Sequence, residues 1–135
     1  MPVLINIDVP DLEAGIAFYT QGLGLTLLHR YDTEFVELGG AGVRVFLLLK
    51  HAGTRPAPGL PERLYTRHWS PIHFDFQVDD VPVAVARAVA AGAVVEAPTE
   101  TKPYGQLAML ADPFGHGFCL ISLTAQGYGV YLPCC

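Results

Sequence analysis

Charge is scarce in this chain. Of 135 residues, 8 are Lys or Arg and 13 are Asp or Glu, 16% in all, where about 25% is usual for a soluble domain. The net charge of -5 and the scatter of the few cations, with only Arg55, Arg63 and Arg67 sharing a loop, leave no basic track for a phosphate backbone, so no nucleic-acid partner is expected. Long apolar runs are also missing. None approaches the ~18 residues of a membrane helix, and no charged-then-apolar leader opens the chain, so the expectation is a cytoplasmic protein without membrane association. Cysteine is sparse and odd in number: Cys119, Cys134 and Cys135 have no framework spacing and read as free thiols in a reducing compartment. The last two sit in a tail expected to be frayed and exposed.

Apolar residues are plentiful, at 51%. At this length one compact domain is the default. So apolar a composition implies either a large core or apolar surface covered by a partner, most simply a second copy; a homodimer is the expectation.

The chain states one pattern twice. Leu4-Ile5-Asn6-Ile7-Asp8-Val9-Pro10-Asp11-Leu12 is answered by His73-Phe74-Asp75-Phe76-Gln77-Val78-Asp79-Asp80-Val81. Each is a period-2 strand running into an Asp that caps a helix. The first helix carries Leu12, Ile16 and Tyr19 as its apolar stripe and ends at Gly22. The second carries Val81, Val85 and Val89, tolerates Pro82 in its first turn, and stops at Gly92. Strand-like runs follow each: Leu25 to Tyr31, Glu34 to Leu38 and Val43 to Lys50 in the first half, Ala93 to Glu96, Leu107 to Ala111 and Gly117 to Leu123 in the second. Asp112-Pro113-Phe114-Gly115 marks the last hairpin turn. The spacing predicts an α+β fold of two βαβββ modules, residues 1–51 and 72–123. A proline-rich surface linker, 52–71, joins them, and 124–135 form a tail. Leu60, Leu64, Tyr65 and Trp69 are the linker residues placed to dock on the body.

These residues resemble the vicinal oxygen chelate superfamily of glyoxalases, bleomycin-resistance proteins, fosfomycin-resistance enzymes and extradiol dioxygenases. The resemblance is carried by Val9-Pro10-Asp11-Leu12 with Phe18-Tyr19 and Leu23-Gly24-Leu25. In the second half it is carried by His73, Val78-Asp79-Asp80, Ala91-Gly92 and Asp112-Pro113-Phe114-Gly115-His116. It implies that the modules form a cupped mixed sheet, with helices outside and a small-molecule ligand in the cup. Metal-dependent members place His, Glu, Gln or Asp ligands at the start of the first strand and on the last strand of each module. Carried over, those places are Leu4, Leu47 (by a looser alignment), His73 and Cys119. Leucine has no lone pair, and catalytic zinc normally takes three protein ligands, so no metal cofactor is expected. If a divalent metal binds, His73 and Cys119 with Asp75 are its ligands.

Alternation turns Ile5, Ile7, Val9, Phe74, Phe76 and Val78 toward the helices, and Leu4, Asn6, Asp8, His73, Asp75 and Gln77 into the cup. An apolar cup with a few convergent polar groups is a small-molecule site. The expected ligand-binding residues are therefore Asn6, Asp8, His73, Asp75 and Gln77, joined by Tyr104 at the cup mouth and Trp69 in the linker. His73 is the candidate acid–base residue, tuned by Asp75. Cys119 is expected to pack as a small hydrophobe, and His116 to be structural. The leading expectation is a glyoxalase/bleomycin-resistance-like small-molecule-binding protein lacking the family's catalytic metal. The alternative is a divalent-metal-dependent lyase, isomerase or dioxygenase with an atypical site, and a third possibility is a scaffold with a filled cup.

Overall fold

The computed structural model describes residues 1–134, so Cys135 lies outside the described residues. Strand β1 (Leu4–Val9) leads into helix α1 (Leu12–Ala17), which widens into a π-helical turn over Phe18–Gly22; β2 (Thr26–Arg30), β3 (Phe35–Gly39) and β4 (Arg44–Leu49) follow. The second module runs β5 (Phe74–Gln77), α2 (Val81–Ala90), β6 (Val94–Lys102), β7 (Gly105–Ala111) and β8 (Gly117–Leu123), and a 3-10 turn at Gly127–Tyr131 comes after it. The strands form two four-stranded sheets, β1-β4-β3-β2 and β5-β8-β7-β6. In each, the first strand pairs parallel with the fourth and the remaining pairs are antiparallel. No helix is long and apolar enough to cross a membrane.

Both helices start where the sequence places them. The Asp11 carboxylate accepts from the Ala14 N–H at 2.9 Å and the Asp80 carboxylate from the Val83 N–H at 3.0 Å, each satisfying an amide that the first helical turn leaves unpaired. Leu12, Ile16 and Tyr19 are buried as expected. On α2 the stripe differs from the expected one: Val81 and Ala88 are buried, Ala84 and Val85 pack against the core, and Val89 is exposed. Repeated steps of four residues outrun the 3.6-residue turn, so the third valine rotates off the buried face.

A single core joins the modules. Phe18 meets Phe118 at a ring-centroid distance of 6.1 Å, and Arg87 of α2 donates to the Gln21 carbonyl at 2.7 Å. Buried Asp112 ties the halves together: one carboxylate oxygen accepts from the Tyr19 hydroxyl at 2.6 Å, the other from the Phe114 and His116 amides at 2.8 and 2.9 Å. His116 then reaches the Asp8 carbonyl at 2.7 Å. The linker docks through fewer hydrophobes than expected. Tyr65 packs on the core and donates to the Lys50 carbonyl at 2.5 Å, whereas Leu60, Leu64 and Trp69 are exposed. Ion pairs do the rest: Arg63 with Asp8 and Arg67 with Glu96.

Removing the tie should be costly. Tyr19→Phe is expected to destabilise by about 1–2 kcal/mol and Asp112→Ala by about 3 kcal/mol, because the buried amides and hydroxyl then lack an ionised acceptor. In urea titrations the double mutant should lose less than the sum of the two singles, since the two residues share one hydrogen bond.

Candidate functional site

Strand register settles which side chains share a face. Asn6 stands opposite Phe46, Phe46 opposite Glu37, and Glu37 opposite His29. In the second module Asp75 stands opposite Cys119, and Cys119 opposite Met109. These rows lie on the face away from the helices. Leu47 does not belong to them. It pairs with Ile7, is fully buried, and packs toward Gly15 of α1. The first-module counterpart of Cys119 is therefore Phe46, one residue before the position expected from sequence. Phe46 offers a metal no more than leucine does.

The polar residues converge in the second module. His73 Nε2 lies 3.3 Å from a carboxylate oxygen of Asp75, and both side chains are 37% exposed. One ligand atom from each of His73, Asp75 and Cys119 falls within 4.8 Å of the other two. Burial, with the Asp75 carboxylate adding to it, pushes the Cys119 thiol up to about 11. Trp69 leans over His73, ring centroids 5.8 Å apart. Gln77 is exposed at the far end of β5.

The structure adds residues that the sequence reading missed. Tyr104 does not stand alone at the rim: Tyr128 and Tyr131, from the 3-10 turn after β8, approach its ring at 4.9 and 6.2 Å. Burial and then the Asp75 carboxylate raise the Tyr128 hydroxyl above its ordinary value. The tail is thus ordered as far as this turn, and Cys134 beyond it is exposed as expected. No local signal separates these tyrosines from ordinary tail residues, because the contact depends on where the chain goes after β8.

In the first module Asn6 and Asp8 line one cavity with His73; Asp8 is held by Arg63 at 2.8 Å, and Asn6 is exposed. A different cluster occupies the face: buried Glu37 accepts from Arg44 Nε at 2.7 Å and from the Tyr31 hydroxyl at 2.6 Å. Arg44 lies over the Phe46 ring, 5.2 Å from its centroid, and Tyr31 stacks on Phe35 at 5.0 Å. Arg44 first, then the tyrosine hydroxyl, hold the Glu37 carboxyl at about 2. Stability from this carboxylate is therefore full above its ordinary 4.5 and is lost as pH falls toward 2. The alternation of β3 held the signal for this cluster, since Glu37 sits between the inward Val36 and Leu38.

The thiol makes a direct check. Alkylation of Cys119 should follow a pH midpoint near 11, far slower at pH 8 than that of exposed Cys134. Asp75→Asn should lower the midpoint by removing the neighbouring negative charge. Mass spectrometry of each modified cysteine across pH 7–11 reads this; an unchanged midpoint in the variant would show that Asp75 does not act on the thiol.

Residues 4–121 match the family model of a glyoxalase-like domain. The proposed glyoxylase CFP32 of Mycobacterium bovis is 32% identical over 127 residues, covering 88% of this chain and 42% of CFP32; the chain spans about two fifths of the curated relatives it matches. A glyoxalase-related enzyme from Fulvimarina pelagi has a similar structure, with TM-score 0.72, 22% identity and 94% of each chain covered. So has the fosfomycin resistance protein FosX of Listeria monocytogenes, in complex with Mn(II) and a dihydroxypropylphosphonic acid, with TM-score 0.66, 19% identity, and 90% and 89% covered. With two βαβββ modules and these matches, the chain belongs to the glyoxalase-like family.

Proposed function

We propose that this chain is a small-molecule-binding protein of the glyoxalase/bleomycin-resistance type, working as a homodimer without a catalytic metal. It would take its ligand against the open face of the second module. The observation that supports this best is the convergence of partly exposed His73 and Asp75 under Trp69, with a separate aromatic cluster of Tyr104, Tyr128 and Tyr131 at the end of the same module. Convergent hydrogen-bonding groups with aromatic walls suit a compact organic ligand. Leu4, Leu28 and Tyr31 leave about half their surface exposed on the equivalent face of the first module. A second copy laid over that face would cover them and close the cup.

One observation favours a second reading, a divalent-metal enzyme. His73, Asp75 and Cys119 supply three donors, the number a catalytic zinc site uses. The donor set fits zinc better than it fits Mn(II) or Mg(II), because thiolate and imidazole are softer ligands than carboxylate oxygen. A thiol near 11 would have to lose its proton on binding, which makes occupancy pH-dependent. A divalent ion held there would polarise a ligand oxygen, while Leu4 and Phe46 would offer it no donor from the first module.

The one tryptophan of the chain separates the readings. On the proposed function, Trp69 emission responds to an organic ligand, with bleomycin and fosfomycin as first probes. Affinity should fall tenfold or more in His73→Ala, and added Zn(II), Ni(II) or Mn(II) should leave no stoichiometric metal after gel filtration. Stoichiometric metal that is lost in His73→Ala would replace this proposal with the enzyme reading.

A further inference from the structure

Strands β1 and β5 are the inner edges of the two sheets, and among the described residues no backbone hydrogen bond joins them. In a parallel pair, alternate residues turn both backbone groups toward the neighbour and the others turn away. The Val9 carbonyl accepts from the Lys50 N–H, beyond the end of β4, and the Val78 N–H donates to the Ile121 carbonyl of β8. Val9, Ile7 and Ile5 are therefore the residues bonded to β4, and Val78, Phe76 and Phe74 those bonded to β8. The backbone groups of Leu4, Asn6 and Asp8 then point into the seam from one side. Those of His73, Asp75 and Gln77 point into it from the other. On the β1 side His116 already takes the Asp8 carbonyl at 2.7 Å. On the β5 side none of the three residues has a backbone hydrogen-bond partner on that edge among the described residues.

The seam is hollow. A cavity of about 340 Å³ lies at its Asp8 and His73 end, under Arg67 and Ser70 of the linker. A second of about 570 Å³ lies at its Ile5 and Gln77 end. Both are lined by Ile7, His73, Phe74 and Phe76. At the Asp8 end the charged side chains are already paired, Arg63 with Asp8 and Arg67 with Glu96; at the other end the Asp75 carboxylate lies 3.3 Å from the His73 imidazole. Unpaired edge amides and carbonyls beside an aromatic wall suit one kind of occupant: a chain that alternates donors and acceptors at the spacing of a strand.

We infer that the seam is a binding site for a short extended peptide or peptide-like amide, which adds to the β5 edge as a further strand. Three outward residues at alternate positions match a segment of about four residues at roughly 3.3 Å per residue. One set of its side chains would lie on Phe74 and Phe76, and the other would face the cup. The site uses backbone groups and the seam wall, so it stands whether or not the cup binds an organic ligand.

The probe is acetyl-Val-Thr-Val-Thr-amide, with two analogues N-methylated at either the valines or the threonines. Each methylation pattern removes the donors on one edge of the peptide only. In two-dimensional amide spectra the unmodified peptide should shift the His73, Asp75 and Gln77 signals saturably and slow their hydrogen exchange. One analogue should bind at least tenfold more weakly and the other within threefold, according to which peptide edge meets β5. Equal binding of both analogues would overturn the inference, as would absent binding at millimolar peptide or shifts confined to other residues. Protection of the Asp75 and Gln77 amides in peptide-free protein, at the mass of a dimer, would assign the edge to a second copy and overturn it as well.

Discussion

Asp112 holds the two halves of this protein in one arrangement. Its carboxylate is buried and satisfied from three directions: by the Tyr19 hydroxyl of the first module and by the Phe114 and His116 amides of its own turn. The turn thus has a fixed shape, and the end of the first helix is held against it. His116 extends the tie to the Asp8 carbonyl on β1. An ionised group this deep is tolerable only when it is fully hydrogen-bonded, so the modules cannot slide without exposing it unpaired. Burial first, and then the carboxylate, keep the Tyr19 hydroxyl protonated far above its ordinary range, and the hydroxyl stays a donor. Together with Phe18 against Phe118 and Arg87 on the Gln21 carbonyl, this contact holds the two modules against each other.

The two modules share a frame and differ in what they hang on it. Register makes Leu4 and His73 equivalent, and likewise Asn6 and Asp75, and Phe46 and Cys119. At these places the second module gathers an imidazole, a carboxylate and a thiol within 4.8 Å. The first module has a leucine, an exposed amide and a phenyl ring there, and keeps its charge on Arg44 of β4, opposite Leu4, and on Glu37 of β3. There the pair serves the face itself: Glu37 orders Tyr31 and Arg44, and these line up with Phe35 and Phe46 in one aromatic surface. One face offers reactive polar groups, the other a stiff aromatic wall with a compensated charge beneath it.

Much of this was legible in the chain. Period-2 alternation assigned the faces of β1 and β5 because a strand cannot turn one residue without turning all of them. The capping aspartates and the Asp112 turn marked element ends through local hydrogen bonds, which local sequence encodes. Position across strands was less legible. In a run as uniform as Arg44–Leu49 nothing local marks which residues face the cup, and a shift of one residue, from Phe46 to Leu47, exchanges the faces. Val89 was lost to the difference between four residues and 3.6. Tyr128 and Tyr131 could not have been read at all, since their role comes from a return path that brings residues after β8 back to Tyr104.

A cluster of polar side chains in one module and an aromatic wall in the other answer different physical demands. A converging polar site requires lone pairs held at fixed distances, and among the described residues the second module gathers three of them, on His73, Asp75 and Cys119. An aromatic face keeps its shape without a partner only if its members are held, and the Glu37-centred cluster does this because its members hold one another. A duplicated fold can meet both demands only if its copies diverge at equivalent positions while the frame between them stays fixed. The frame here is fixed by Asp112, which lies on the helix side of the sheet and takes no part in either face. Substitutions at Leu4, Phe46, His73 or Cys119 can therefore change what the faces bind without disturbing how the modules meet.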